Sequence, residues 1–250
     1  MIRTHIVIPA RLASTRLPEK LLLTVAGKSV LRYTHEAASR SRVASGITVA
    51  VDDARLAREV ESFGGRWVMT SPACPSGTDR LAEVARTMAD VDVFVNVQGD
   101  EPEIDSDAID LVAQTLIDNP WADIATAARP IRDAETLSNP NVVKVVLGLD
   151  NRALYFSRAS IGYARDGLTK ELLEAEPPTF WHHVGLYAYR RDFLEWFAMQ
   201  GTSPLERIEK LEQLRALEHG RSIAVARIDA SPAGIDTQAD FDAFVGRLAE

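Results

Sequence analysis

Hydrophobic positions along this chain change period from segment to segment. Short β-branched runs at His5 to Ile8, Ile47 to Val51, Trp67 to Met69 and Val93 to Val97 have strand length, and longer stretches with helical spacing separate most of them. Val30 to Arg42 follows Ser29 as an N-cap, Ala54 to Phe63 stops at Gly64-Gly65, and Leu81 to Met88 follows Ser76-Gly77-Thr78. That alternation predicts an α/β fold: a Rossmann-like, mostly parallel sheet flanked by helices. In such sheets ligands sit beyond the carboxyl ends of the strands, which singles out the loops after Ile8 and Val97.

The second half is less regular. Strand-like Ile124 to Ala128, Val142 to Leu147 and Val184 to Tyr189 are interspersed with loops carrying Pro140, Pro177 and Pro178. We expect one domain over 1–250, with approximately 124–200 forming an inserted, smaller and partly antiparallel subdomain. Ser203-Pro204-Leu205-Glu206 is a capping box with proline at the first helical position. Leu205, Ile208, Leu211, Leu214 and Leu217 then make one apolar stripe, predicting a helix that ends near Gly220. Thr237 with Asp240 marks the start of a last helix.

Composition narrows the function classes. The 250 residues are 46% hydrophobic and 26% charged, as in ordinary globular proteins. A net charge of −8 argues against a nucleic-acid partner. The single cysteine, Cys74, can form no internal disulfide and lacks the companions of a zinc site. No apolar run is long enough to span a bilayer, so we expect no membrane partner and a cytoplasmic location.

After the first strand comes Pro9-Ala10-Arg11-Leu12-Ala13-Ser14-Thr15-Arg16-Leu17-Pro18-Glu19-Lys20, a loop with three cations and two hydroxyls at the expected ligand edge. Arginine bridges two phosphate oxygens with its planar fork, whereas lysine delivers a compact charge, so Arg11 and Lys20 suit a triphosphate. A solvated basic loop would look the same by charge alone; its place at a strand end favours the anion site. Two better-known phosphate motifs are excluded. No G-x-G-x-x-G follows a strand, which also disfavours an NAD enzyme, and Gly27-Lys28-Ser29 has Leu22 where a P-loop requires glycine.

This loop resembles that of the 3-deoxy-manno-octulosonate (Kdo) cytidylyltransferase family. The resemblance continues through Ser76-Gly77-Thr78-Asp79-Arg80-Leu81-Ala82-Glu83, Val95-Asn96-Val97-Gln98-Gly99-Asp100-Glu101-Pro102, Ala153-Leu154-Tyr155-Phe156-Ser157-Arg158 and Leu211-Glu212-Gln213-Leu214-Arg215. It implies a fold of the nucleotide-diphospho-sugar transferase type and transfer of CMP from CTP to the anomeric hydroxyl of Kdo, with release of pyrophosphate, for lipopolysaccharide assembly. It also implies Mg2+ and a homodimer. Another acidic sugar, such as 8-amino-Kdo or a sialic acid, would need the same triphosphate machinery; a non-catalytic nucleotide-binding regulator is the alternative of another class.

Asp100 follows an apolar strand and Asp236 precedes the Thr237 cap. Each has an ordinary structural reading, as turn residue or helix-terminus charge, yet two loop aspartates together with phosphates suffice for magnesium. Both match the family's metal-binding aspartates, and Glu101 is expected to play a supporting or structural part. The resemblance implies catalytic roles for Arg11, Lys20, Asp100 and Asp236. It assigns the nucleotide to Ala10, Arg11, Lys20, Ser76, Gly77, Thr78, Arg80 and Asp100, and the sugar to Gln98, Arg158, Arg165, His183, Tyr187, Glu212 and Gln213. One position departs from the family: Glu19 stands where glycine is usual. It would either repel phosphate or point to solvent in a loop that does not demand a positive φ, and the second is expected.

Overall fold

The computed structural model describes residues 2–74 and 76–249. Its strands are β1 (Thr4–Ala10), β2 (Thr24–Val25), β3 (Lys28–Ser29), β4 (Ala44–Val51), β5 (Trp67–Met69), β6 (Val93–Asn96), β7 (Ile124–Pro130), β8 (Lys144–Leu147), β9 (Ala153–Ser157), β10 (Trp181–Arg190) and β11 (Ile223–Arg227). The helices are α1 (Val30–Ala38), α2 (Ala54–Ser62), α3 (Gly77–Thr87), α4 (Ser106–Asp118), α5 (Ala134–Ser138), α6 (Lys170–Leu173), α7 (Arg191–Phe197), α8 (Pro204–Glu209), α9 (Gln213–Glu218) and α10 (Gln238–Leu248).

The main sheet runs β11-β7-β10-β6-β1-β4-β5. β1 pairs in parallel with β4 and β6, β4 with β5, and β7 with β11; β10 alone on this path runs antiparallel to its neighbours. β1 is buried along its whole length, as a central strand covered on both faces must be. Successive side chains divide between the two layers. Ile6 and Ile8 join Leu31 of α1, Leu56 of α2, Ile109 of α4 and Phe244 of α10, whereas Val7 joins Leu81 of α3, Phe193 of α7 and Leu214 of α9. Among the described residues, no helix is long and apolar enough to cross a membrane.

Three helix starts read from sequence are present with their capping contacts. Ser29 accepts from the Arg32 amide, Ser76 from the Asp79 amide, and Ser203 with Glu206 closes a capping box. The Gly27-Lys28-Ser29 string serves local structure: Lys28 pairs with Glu36 at 2.6 Å and Ser29 caps α1.

The segment 124–200 encloses two strands of the main sheet, β7 and β10. The same segment adds β8, paired with β10, and β9, paired with β8, to this sheet off the main path, and the chain from Arg158 to Phe180 then links β9 to β10. The predicted single helix after Ser203 is corrected: it is two helices. Lys210 takes φ 55°, ψ 46° at the end of α8, so the apolar repeat crosses a break. Ile208 consequently points outward, while Leu211 and Leu214 are buried.

Candidate active site

Two adjoining cavities lie at the carboxyl ends of β1 and β6. One, of about 380 Å³, is lined by Arg11, Ser14, Thr15, Arg16 and Lys20 from the basic loop, Ser76 and Gly77 from the start of α3, and Asp100 and Asp236. The other, of about 340 Å³, contains Thr78, Asn96, His183, Tyr187, Tyr189 and Gln213. Gly77, Gln98 and Glu212 line both and therefore mark the junction.

Local backbone chemistry assembles the first cavity. Leu21 is buried and anchors a single 3-10 turn over Lys20–Leu22. Asp100 is reached from β6 through Gly99, where any Cβ would come within 3.0 Å of the Pro9 carbonyl oxygen. Asp236 is brought alongside by the Ile235 amide, which donates to the Asp100 carbonyl at 2.8 Å. Lys20 Nζ then donates to the Asp100 carboxylate and, at 2.9 Å, to Asp236 Oδ1; Arg16 Nη2 reaches Asp236 Oδ2 at 2.9 Å. Burial works against the Lys20 ammonium, but the two carboxylates outweigh it and hold its pKa above the ordinary value. Burial, followed by the neighbouring Asp100 charge, pushes the Glu101 carboxyl up to about 8.

Among the described residues, no group of three or more His, Cys, Asp and Glu side chains is arranged to hold a metal. The pair Asp100 and Asp236 nevertheless fits a hard divalent cation that completes its shell with phosphates and water. The carboxylates are close enough for one cationic group, the Lys20 ammonium, to contact both.

The second cavity is aromatic and hydrogen-bonding. Tyr187 stacks on Tyr189 with ring centroids 5.6 Å apart, and Tyr189 on Phe193 at 5.8 Å. His183 Nε2 and Thr126 Oγ1 lie 2.9 Å apart. Burial and neighbouring His182 push His183 down to about 3, so the ring is neutral near neutral pH. Burial likewise raises the Glu212 carboxyl, opposed by hydrogen bonds from Thr78 and Ser76. Two buried donors of residues lining these cavities, Arg11 Nη2 and Gln213 Nε2, have no hydrogen-bond partner among the described residues. Native structures leave few buried donors unmet, so these are the natural handles for a ligand.

The structure thus brings together Arg11, Lys20, Asp100, Asp236, Ser76, Gly77, Thr78, Gln98, His183, Tyr187, Glu212 and Gln213. It places four expected residues elsewhere. Ala10 is the buried last residue of β1, and Arg80 is wholly enclosed beneath the loop. Arg158 spends its guanidinium on the carbonyl oxygens of Glu209, at 2.8 Å, and Pro140, at 3.1 Å. Arg165 is exposed in the segment between β9 and α6 and does not line either cavity. Sequence reasoning left out Asn96, Tyr189 and Arg16 as site residues. The polar Asn96 inside an apolar strand, two positions before Gln98, was the available signal.

Glu19 requires a correction. Its backbone lies at φ 52°, ψ 30°, the left-handed region that glycine occupies most easily, so this turn does demand a positive φ. The side chain points away from the phosphate-type cavity and pairs with Arg55 at 2.6 Å on the surface. The expected direction of the carboxylate holds; the expected freedom of the backbone does not.

A model of the family described as "Cytidylyltransferase" matches residues 5–223. The chain is 60% identical to a 3-deoxy-manno-octulosonate cytidylyltransferase of Rhodopirellula baltica, over 97% of each chain. It is 50% identical to one of Hahella chejuensis, covering 94% of this chain and 93% of that one. A solved CMP:2-keto-3-deoxy-manno-octonic acid synthetase, complexed with CTP, superposes with a TM-score of 0.91 at 38% identity, over 99% of this chain and 98% of the other. The architecture is accordingly of the nucleotide-diphospho-sugar transferase type. With this fold and this agreement over nearly the full length, the chain belongs to the 3-deoxy-manno-octulosonate cytidylyltransferase family.

Proposed function

We propose that this protein transfers CMP from CTP to the anomeric hydroxyl of Kdo, giving CMP-Kdo and pyrophosphate for lipopolysaccharide assembly. The observation that carries this reading is the junction itself: a cavity of cations and two aspartates opens directly onto a second cavity of aromatic and hydrogen-bonding groups. The triphosphate lies in the first, against Arg11, Lys20 and the start of α3, and the sugar in the second. The anomeric oxygen then approaches the α-phosphorus near Gln98 and Glu212, in line with the departing pyrophosphate.

Asp100 and Asp236 hold Mg2+, which supplies Lewis-acid stabilisation of the phosphoryl oxygens when bound. Arg11 and Lys20 line the same cavity and stabilise the charge that builds on the triphosphate, Lys20 exchanging its contacts with Asp100 and Asp236 for phosphate oxygens. Gln98, Glu212 and Gln213 offer the paired donors and acceptors that sugar hydroxyls require, while Tyr187 and His183 form an apolar wall with polar tips. No covalent enzyme intermediate is needed.

We assign the reaction to the cytoplasm, where a nucleoside triphosphate is at hand. Two copies are proposed to pair through the segment 124–200, whose Leu149, Leu154, Tyr163 and Leu168 are exposed; a sizing measurement decides this. The function is tested by pyrophosphate release from CTP and Mg2+ with Kdo, 8-amino-Kdo, sialic acid or no sugar. Release with Kdo that falls at least about a hundredfold in Asp100→Ala supports the reading. Release only with another sugar moves the substrate, and none with any sugar favours a nucleotide-binding regulator.

A further inference from the structure

Asp52 lies just beyond β4 and lines neither cavity. Its carboxylate nonetheless joins two segments beneath the nucleotide site. Oδ1 accepts the backbone N–H of Leu12, next to Arg11, at 3.0 Å. Oδ2 accepts from Arg80 Nη2 at 3.3 Å, and Arg80 Nη1 donates to Thr70 Oγ1. The Arg80 side chain has no solvent exposure, and its Nε meets no partner among the described residues. Burial lowers the Arg80 pKa, Asp52 opposes that shift, and Arg11 adds to it.

Arg80 therefore has its counter-charge in Asp52 at the floor of the basic loop, and the Arg11 charge acts on Arg80 from nearby. A buried cation stripped of its counter-charge is strongly unfavourable, so Arg80 needs Asp52. Arg11 is left with a buried, unpartnered Nη2 in the cavity lining. We infer that Asp52 is a positioning residue for the nucleotide: it neutralises Arg80 and fixes the backbone after Arg11, so that the Arg11 donor stays free for the triphosphate. This rests on the CTP reading above, and it gives Arg80 a supporting place beneath the site in place of direct contact with the base.

The asparagine variant of Asp52 keeps an acceptor for the Leu12 amide but turns an NH2 group and no charge toward Arg80. In Asp52→Asn the dissociation constant and KM for CTP rise about tenfold or more, the scale of one lost charge-assisted contact, with the KM for sugar unchanged and kcat at saturating CTP retained. The double variant Asp52→Asn/Arg80→Met removes the stranded cation and returns CTP affinity to within about threefold of wild type, with the thermal midpoint recovering in parallel. If the single variant does not fold, the double variant decides alone. Wild-type CTP affinity in Asp52→Asn overturns the inference; so does a loss confined to kcat, or a double variant still impaired in CTP binding. Wild-type turnover with CTP in the same assay separates any of these results from a failure of the functional reading.

Discussion

Replacing Glu19 by glycine and, separately, by alanine isolates the backbone cost hidden in the basic loop. Glu19 holds φ 52°, and a residue with a Cβ in that region costs roughly 1–2 kcal/mol. Glycine removes that cost but loses more chain entropy on folding, roughly 0.5–1 kcal/mol. Both substitutions delete the surface pair with Arg55, where water and salt leave little to lose. Glycine should therefore be about as stable as the natural glutamate, while alanine, which keeps the strain and loses the pair, is the less stable of the two. The expected difference is roughly 0.5–1 kcal/mol, or about 1–2 °C in thermal midpoint for a chain of this size. Urea and thermal unfolding of the three proteins measure it. Alanine equal to or more stable than glycine would refute the left-handed geometry before Lys20, because everywhere else alanine is the better residue.

Two further predictions concern stability. Arg215 grips Glu206 with two contacts, at 2.6 and 2.8 Å, and both side chains are buried; Arg215→Met should cost roughly 3–5 kcal/mol by stranding the carboxylate, and Glu206→Gln/Arg215→Met should recover much of it in urea unfolding. His182 and His183 are held down, by burial first, to about 4 and about 3 from an ordinary 6.5. The unfolded chain therefore takes up these protons first as pH falls. Stability is complete above pH 6.5 and declines toward pH 3, by about 2 kcal/mol per histidine at pH 5, so His182→Gln should lose less than wild type between pH 7.5 and 5.0. An unchanged slope in that variant would contradict the buried neutral state.

The first half of the fold was legible because its strands are short, apolar and covered on both faces, with N-caps such as Ser29 and Ser76 between them. The proline-interrupted, irregular second half read as partly antiparallel, and β10 with the β8–β9 pair is so; which neighbours β10 takes is decided by tertiary pairing and left no trace in the sequence. The stripe from Leu205 to Leu217 kept helical period across a break, since one residue at φ 55° leaves hydropathy untouched. In the site, residues next to phosphate-like chemistry announced themselves by charge and position. Arg158 was picked out on residue type, which does not reveal the contacts its guanidinium makes with the carbonyls of Glu209 and Pro140. Asp52 escaped notice since its work depends on Leu12 and Arg80, neither of them near it in sequence.

The two metal-type aspartates come from positions 100 and 236 and meet only when the Ile235 amide has docked on the Asp100 carbonyl. During synthesis the amino-terminal part of a domain emerges and begins to fold first. A nascent chain can thus hold β1, its basic loop and Asp100 while the second carboxylate is still unmade. On the proposed reading of these aspartates, the site is completed late, by nearly the last piece of the fold to arrive. A chain cut before residue 236 would lack both the second carboxylate and the Phe244 contact of α10 with the core, which links activity and packing to the same late segment.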